Sequence, residues 1–92
     1  MRGSESTIQS KILKYLREIP NTYTMKLSDR WTSGYPDVLH IKDGRAYFFE
    51  VKTPTGKKQP LQIFTIAELR KAGAQAHFVT SLEEVKKVLD SQ

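Results

Sequence analysis

Two acids and an amine, Asp37, Glu50 and Lys52, are the residues of this 92-residue sequence whose types and spacing support chemistry. Between the acids lie two short apolar runs, residues 38–41 and 46–51, joined by Asp43-Gly44. Asp-Gly between alternating runs is a strong hairpin signal, because a type I′ turn needs positive φ at both central residues. With a two-residue turn, Lys42 faces Arg45, Ile41 faces Ala46, Leu39 faces Phe48 and Asp37 faces Glu50. Side chains alternate along a strand, so Lys52 shares the face of Glu50. Like charges directly opposite in a ladder are destabilising. Two facing carboxylates with an ammonium group one step along therefore imply a cation between them.

Carboxylate oxygens are the hard ligands that hold Mg²⁺ or Mn²⁺. Mg²⁺ usually takes one or two protein carboxylates and completes its octahedron with waters and substrate phosphate oxygens. A bound ion lowers the pKa of its water and withdraws charge from a phosphate. Lys52 is then placed to neutralise developing phosphorane charge, or to position or activate the attacking water. Phosphodiester hydrolysis fits this inventory.

The elements that position these residues follow from periodicity and punctuation. Residues 4–19 form a helix with Ile8, Ile12, Leu13, Tyr15, Leu16 and Ile19 on one stripe, Ser4 or Ser6 at its start and Pro20 at its end. Glu5 falls in its first turn, where the helix dipole favours a carboxylate. Residues 22–27 carry β-formers and read as a strand. A polar loop, residues 28–35, leads into Asp37 and holds Arg30 and Trp31. Trp31 is available either to stack on a base or to anchor packing.

After the hairpin, residues 53–60 form a breaker-rich basic tip with Lys57 and Lys58, placed either as solvated charge or as phosphate contacts. Residues 61–72 read as a second helix with Leu61, Phe64, Ile66, Ala67 and Leu69 on its apolar face, closed by Gly73. A strand over residues 74–80 follows. A capping box at Ser81 and Glu84 then opens a last helix that turns Val85, Val88 and Leu89 inward. His77 reads as a satisfied core or edge histidine, and the hairpin register turns His40 away from the acids. The order is α-β-β-β-α-β-α. A helix between the third and fourth strands allows a parallel crossover, so the expected fold is α/β, a mixed sheet of about four strands with helices on both faces.

Composition narrows the function further. A formal net charge of +5 favours a polyanionic partner such as nucleic acid. No cysteine is present, which excludes disulfides, thiolate metal sites and a Cys nucleophile. No apolar run approaches the ~20 residues that span a bilayer, and no signal peptide is recognisable, so the reading is no membrane partner and a cytoplasmic location.

Glu-x-Lys alone is a weak motif. Pro36-Asp37, a strand, a tight turn and Glu50-Val51-Lys52 on the paired strand make a much stronger one, and together they resemble the PD-(D/E)XK nuclease signature. The wider pattern, GYPDVL, then DGRAYFFEVKTPTGK, then Pro60-Leu61-Gln62, resembles the VRR-NUC branch, and among its members the minimal standalone, phage-type form. That resemblance covers nearly the whole chain and implies one nuclease domain over residues 1–92 with a restriction-endonuclease-like core. It implies Asp37 and Glu50 as metal ligands with the Val51 carbonyl, and Lys52 as the catalytic lysine. It also implies that Glu5 reaches the site and that Gln62 orients lysine, water or phosphate, with Gln9 a weaker match.

Standalone members are similar to homodimeric endonucleases that cut branched DNA, including four-way junctions. The expected protein is thus a Mg²⁺- or Mn²⁺-dependent DNA endonuclease of a bacterial or phage-infected cell, contacting DNA through Arg30, Trp31, Lys57 and Lys58. The alternatives are a non-catalytic nucleic-acid-binding module, in which the acids merely pair with Lys52, and a metal-dependent phosphodiesterase acting on RNA, linear DNA or small nucleotides.

Overall fold

Asp43 and Gly44 both take positive φ, 52° and 75°, so the Asp-Gly turn forms as its chemistry dictates. The structure, a computed structural model, describes residues 4–27 and 34–91. The turn joins β2 (Val38–Lys42) to β3 (Arg45–Val51), and the register is the one expected, from Lys42 opposite Arg45 to Val38 opposite Phe49. Before them come α1 (Glu5–Arg17) and β1 (Thr22–Lys26). After them come α2 (Pro60–Lys71), β4 (Gln75–Val79) and α3 (Leu82–Asp90). Strand order in the sheet is β1-β2-β3-β4, with the first three antiparallel and β4 parallel to β3. The parallel pair follows from α2, which carries the chain back to the starting end of the sheet. No helix among the described residues is long and apolar enough to cross a membrane.

Ser4, rather than Ser6, caps α1, its hydroxyl accepting from the Thr7 N–H at 3.2 Å. The stripe of α1 buries Ile12, Leu13 and Leu16 against the sheet face that carries Val38, Tyr47, Phe49, Val51 and Val79, and α3 adds Val85 and Leu89. Each such side chain contributes about 1.5–3 kcal/mol by leaving water. His40, Tyr47, Phe49 and His77 form a ladder of rings across this face, with centroids 6.2, 6.4 and 6.5 Å apart.

Both histidines sit in this core. His40 is fully buried, with Nδ1 bonded to the Thr24 hydroxyl at 2.8 Å, while Nε2 of each ring lacks a partner among the described residues. Burial, reinforced by Lys42 for His40 and by Arg70 for His77, holds both below the ordinary imidazole range. A histidine kept neutral by the fold contributes stability that is present above its unfolded pKa of ~6.5 and is lost as pH falls toward its folded value. Between pH 7 and 5 the wild type should therefore lose melting temperature relative to His40→Leu. Parallel melting curves in the two proteins would refute this.

The opposite face is less well covered. α2 crosses it, but among its residues only Ile66 is buried. Leu61 and Phe64, expected on an inward stripe, are 49% and 60% exposed. The helix packs beside β4 rather than over the middle of the sheet, so its flank toward β2 meets no second helix. Its start is nevertheless fixed. Gly34 takes a φ of +89° directly against Leu61, and a Cβ at this position would overlap Leu61 Cγ. Gly34→Ala combines left-handed strain of ~1–2 kcal/mol with displacement of Leu61. A fall in melting temperature of roughly 10 °C is expected, and an unchanged melting curve would contradict the packing.

Candidate metal centre and active site

Asp37 stands one residue before β2, and Glu50 one residue before the end of β3, so both lie at the same end of the sheet. Asp37 is held on three sides. Its N–H donates to the Phe49 carbonyl at 3.1 Å, its carbonyl accepts from the Leu27 N–H at 2.7 Å, and its Oδ2 accepts from the Val51 N–H at 2.7 Å. The carboxylate is thus tied to the backbone of the very strand that carries Glu50. Val51 enters the site through its N–H, and its main chain runs directly on to Lys52.

Glu50 is buried, 3% exposed. Its Oε2 accepts from Gln62 Nε2 at 2.9 Å and lies 3.9 Å from the Lys52 ammonium. Gln62 is oriented by its own cap role, because its Oε1 accepts the Gln59 N–H at 3.0 Å, which leaves the NH₂ end for Glu50. The other Glu50 oxygen, Oε1, is buried with no hydrogen-bond partner among the described residues. A buried acceptor left unpaired costs on the order of 1–3 kcal/mol, more for a charged group.

Glu5, the first residue of α1, joins this pair. Oxygens of Glu5, Asp37 and Glu50 all lie within 4.8 Å of one another. From local spacing Glu5 is only a carboxylate well placed for a helix dipole. The fold adds the position of that helix start, beside the end of β3. Three carboxylates share the space with one close ammonium group, and the titration follows. Burial, then Asp37, pushes Glu50 up to about 8 despite Lys52. Burial also raises Asp37, opposed by the Val51 N–H bond and by Lys52 and Lys26. Strong perturbation by burial and a like charge is the pattern of a functional cluster. The donor set fits a hard divalent cation: all oxygen, converging, and with one buried oxygen unpaired.

Around this centre the basic residues divide. Lys57 is exposed. Lys58 is laid over the Phe78 ring at 4.7 Å, and Phe78 is the register partner of Glu50, so Lys58 stands near the site. Lys26 is a further cation felt by Asp37 and lies outside the Pro-Asp…Glu-x-Lys motif. Lys26 pairs with Val38, the residue that follows Asp37, so it comes near Asp37 only at the end of the β1–β2 ladder. Arg30 and Trp31 lie outside the described residues. His40 and His77 belong to the other face and take no part.

A mixed four-strand sheet with helices on both faces, carrying acids at one end of its central hairpin, is a restriction-endonuclease-like nuclease core. The comparisons carry this one step further. No protein-family model matches the sequence, and no curated protein does. A solved structure described as "VRR_NUC domain" is 28% identical, with a TM-score of 0.78 over 96% of this chain and 97% of that one. A second, "VRR_NUC domain protein", is similar in fold, with a TM-score of 0.81 at 19% identity over 98% of this chain and 88% of that one. The chain has the VRR-NUC nuclease fold.

Proposed function

We propose that the chain is a Mg²⁺- or Mn²⁺-dependent DNA endonuclease that cuts branched DNA, such as four-way junctions, as a homodimer. The observation that carries the reading is the carboxylate trio of Glu5, Asp37 and Glu50, whose oxygens converge within 4.8 Å of one another, together with a buried Glu50 oxygen that has no hydrogen-bond partner among the described residues. Asp37 and Glu50 hold the ion, with Glu5 and the Val51 carbonyl completing the protein's share. When bound, the ion supplies Lewis acidity to a phosphate oxygen and a more acidic water. Lys52 directs its ammonium group at the attacked phosphate or at the attacking water and offsets charge developing there. Gln62 fixes Glu50 Oε2 and leaves the remaining oxygen as the one that would serve an ion.

A net charge of +5 supports nucleic acid as partner. Lys57 and Lys58 follow the site in sequence and serve as phosphate contacts, with Arg30 and Trp31, which precede Asp37 in sequence, as further contacts. The resemblance to standalone VRR-NUC nucleases supports branched substrates. Two copies related by a twofold axis suit a junction with near-twofold symmetry of its own.

The test incubates the protein with a four-way junction, a linear duplex, single strands and RNA, in Mg²⁺, Mn²⁺ or EDTA. Preferential junction cleavage, abolished by EDTA, is expected. Cutting of linear DNA or RNA in preference would move the substrate class, and binding without cutting under any metal would leave a nucleic-acid-binding module.

A further inference from the structure

The strand pairings form one row at the end of the sheet that holds the acids. Leu27, next to Lys26, donates its N–H to the Asp37 carbonyl, and the Asp37 N–H donates to the Phe49 carbonyl. Glu50 pairs with Phe78. The row thus crosses β1, β2, β3 and β4, with Asp37 and Glu50 in its middle. Each end of it carries a cation. Lys26 closes β1 opposite Val38, and Lys58 lies over the Phe78 ring at 4.7 Å. Both lysines are exposed, and neither is ion-paired among the described residues.

Resting on the proposed nuclease reading, we infer that one nucleic-acid strand crosses the end of the sheet along this row. The attacked phosphate lies at the carboxylate trio, a phosphate to one side of it meets Lys26, and a phosphate to the other side meets Lys58. Charge is the first support. A bound divalent ion and the Lys52 ammonium together match the three carboxylates, so the flanking lysines are left for a negative group that the substrate brings. Lys26 is also close enough for Asp37 to feel its charge, which sets it at the rim of the centre rather than on a remote surface.

Span is the second support. Neighbouring strands lie ~4.8 Å apart, so β1 and β4 are separated by about 14 Å. The acids stand between the two lysines, and a single phosphate cannot meet both. The faces give the third. Lys26 shares the face of its partner Val38, which packs with α1, whereas Phe78 shares the face of Glu50, which α2 serves through Gln62. The path is therefore oblique. It enters beside β1 on the α1 side, passes over the trio, and leaves over β4 on the α2 side. Glu5 reaches the trio from α1 and Gln62 from α2, so the centre itself sits where the two faces meet.

Salt titration of binding to a labelled four-way junction in EDTA, where nothing is cut, tests the two contacts. The slope of log K against log salt should become shallower by ~0.9 in Lys26→Gln, by ~0.9 in Lys58→Gln and by about twice that in the double variant. Arg45→Gln, exposed at the turn end of the same sheet, should keep the wild-type slope. Both lysines are exposed, so their variants should melt with the wild type. An unchanged slope in Lys26→Gln or Lys58→Gln would overturn the path. A Lys26 that only tuned Asp37 would, when lost, shift metal binding along the pH axis and leave the salt slope alone.

Single methylphosphonate linkages, which remove one phosphate charge at a time, read the order of the contacts. A neutral linkage on one side of the central phosphate should weaken binding several-fold in the wild type and in Lys58→Gln, and have no further effect in Lys26→Gln. On the other side the two variants should exchange roles. Both lysines responding to the same linkage would overturn the path. Slopes that fall as expected in a protein that never cuts would keep the path and remove the catalysis. Metal-dependent cutting with unchanged slopes would do the reverse, and a protein that does not bind the junction at all would overturn both.

Discussion

Glu50→Gln is expected to lower cleavage by ~10³-fold or more while making the metal-free protein more stable at pH 8. The first effect follows from removing a charged oxygen that faces the proposed ion. Metal-ion catalysis contributes several kcal/mol of transition-state charge stabilisation, and each 1.36 kcal/mol is a factor of ten. The second effect follows from the titration of Glu50. Its pKa is about 8 in the fold against 4.5 ordinarily. Between those values the native state holds a proton that the unfolded chain has released, so metal-free stability falls as pH rises from 4.5 to 8.

Glutamine has nothing to release and can still accept the Gln62 NH₂ through its amide oxygen. The variant should therefore melt with the wild type near pH 4.5 and above it at pH 8. The gap should be about 1–3 kcal/mol, or roughly 5–15 °C, less than the full shift because Glu50 and Asp37 titrate as a coupled pair. A divalent ion should then reverse the order, because ligand that binds only the native wild type stabilises it by RT ln(1 + [L]/Kd). A variant less stable than the wild type at pH 8 without metal would show that the carboxylate belongs to the structure, paired with Lys52, rather than to an ion site.

This opposition between stability and charge is visible in the sequence as far as local rules reach. Asp43-Gly44 specifies its turn by two positive φ angles, and the turn then fixes every pairing back to Asp37 and Glu50, because a two-residue loop leaves no freedom of register. The stripe of α1 is legible for the same reason: Ile12, Leu13 and Leu16 face one way whatever lies opposite.

What local rules miss depends on distance. The reach of Glu5 depends on where the start of α1 falls relative to β3, which no spacing within the helix encodes. The bond from the Val51 N–H to Asp37 joins residues on two strands through one side chain. The inward face expected for α2 failed at Leu61 and Phe64, because burial of a helix depends on how much sheet lies beneath it and where the helix sits on it. Lys26 comes within electrostatic reach of Asp37 only through the pairing of β1 with β2.

Lys52→Met is expected to reduce kcat by ~10²–10⁴-fold, the range for a positioned proton-transfer or charge-stabilising group, while metal binding persists and moves to higher pH. The ammonium group lies 3.9 Å from Glu50 Oε2 on a side chain only 12% exposed, so water screens it little. Lys52 lowers the pKa of Glu50. Without it Glu50 rises further above its value of about 8, and protons compete with the ion over a wider pH range. Thermal stabilisation by Mg²⁺ or Mn²⁺ should therefore appear in the variant only at a more alkaline pH than in the wild type.

Two roles for Lys52 are separated by the rate measured once that pH is reached. If the amine acts on the phosphate or the attacking water, kcat stays depressed after metal binding is restored. If its whole contribution is to keep Glu50 ionised, raising the pH restores the rate along with the metal. Methionine keeps most of the stem's volume, so a loss of fold is not expected to obscure the comparison. The first outcome is expected because one strand holds Glu50 and Lys52 at positions i and i+2 on the same face. The second would reassign Lys52 from the reacting atoms to the tuning of a ligand.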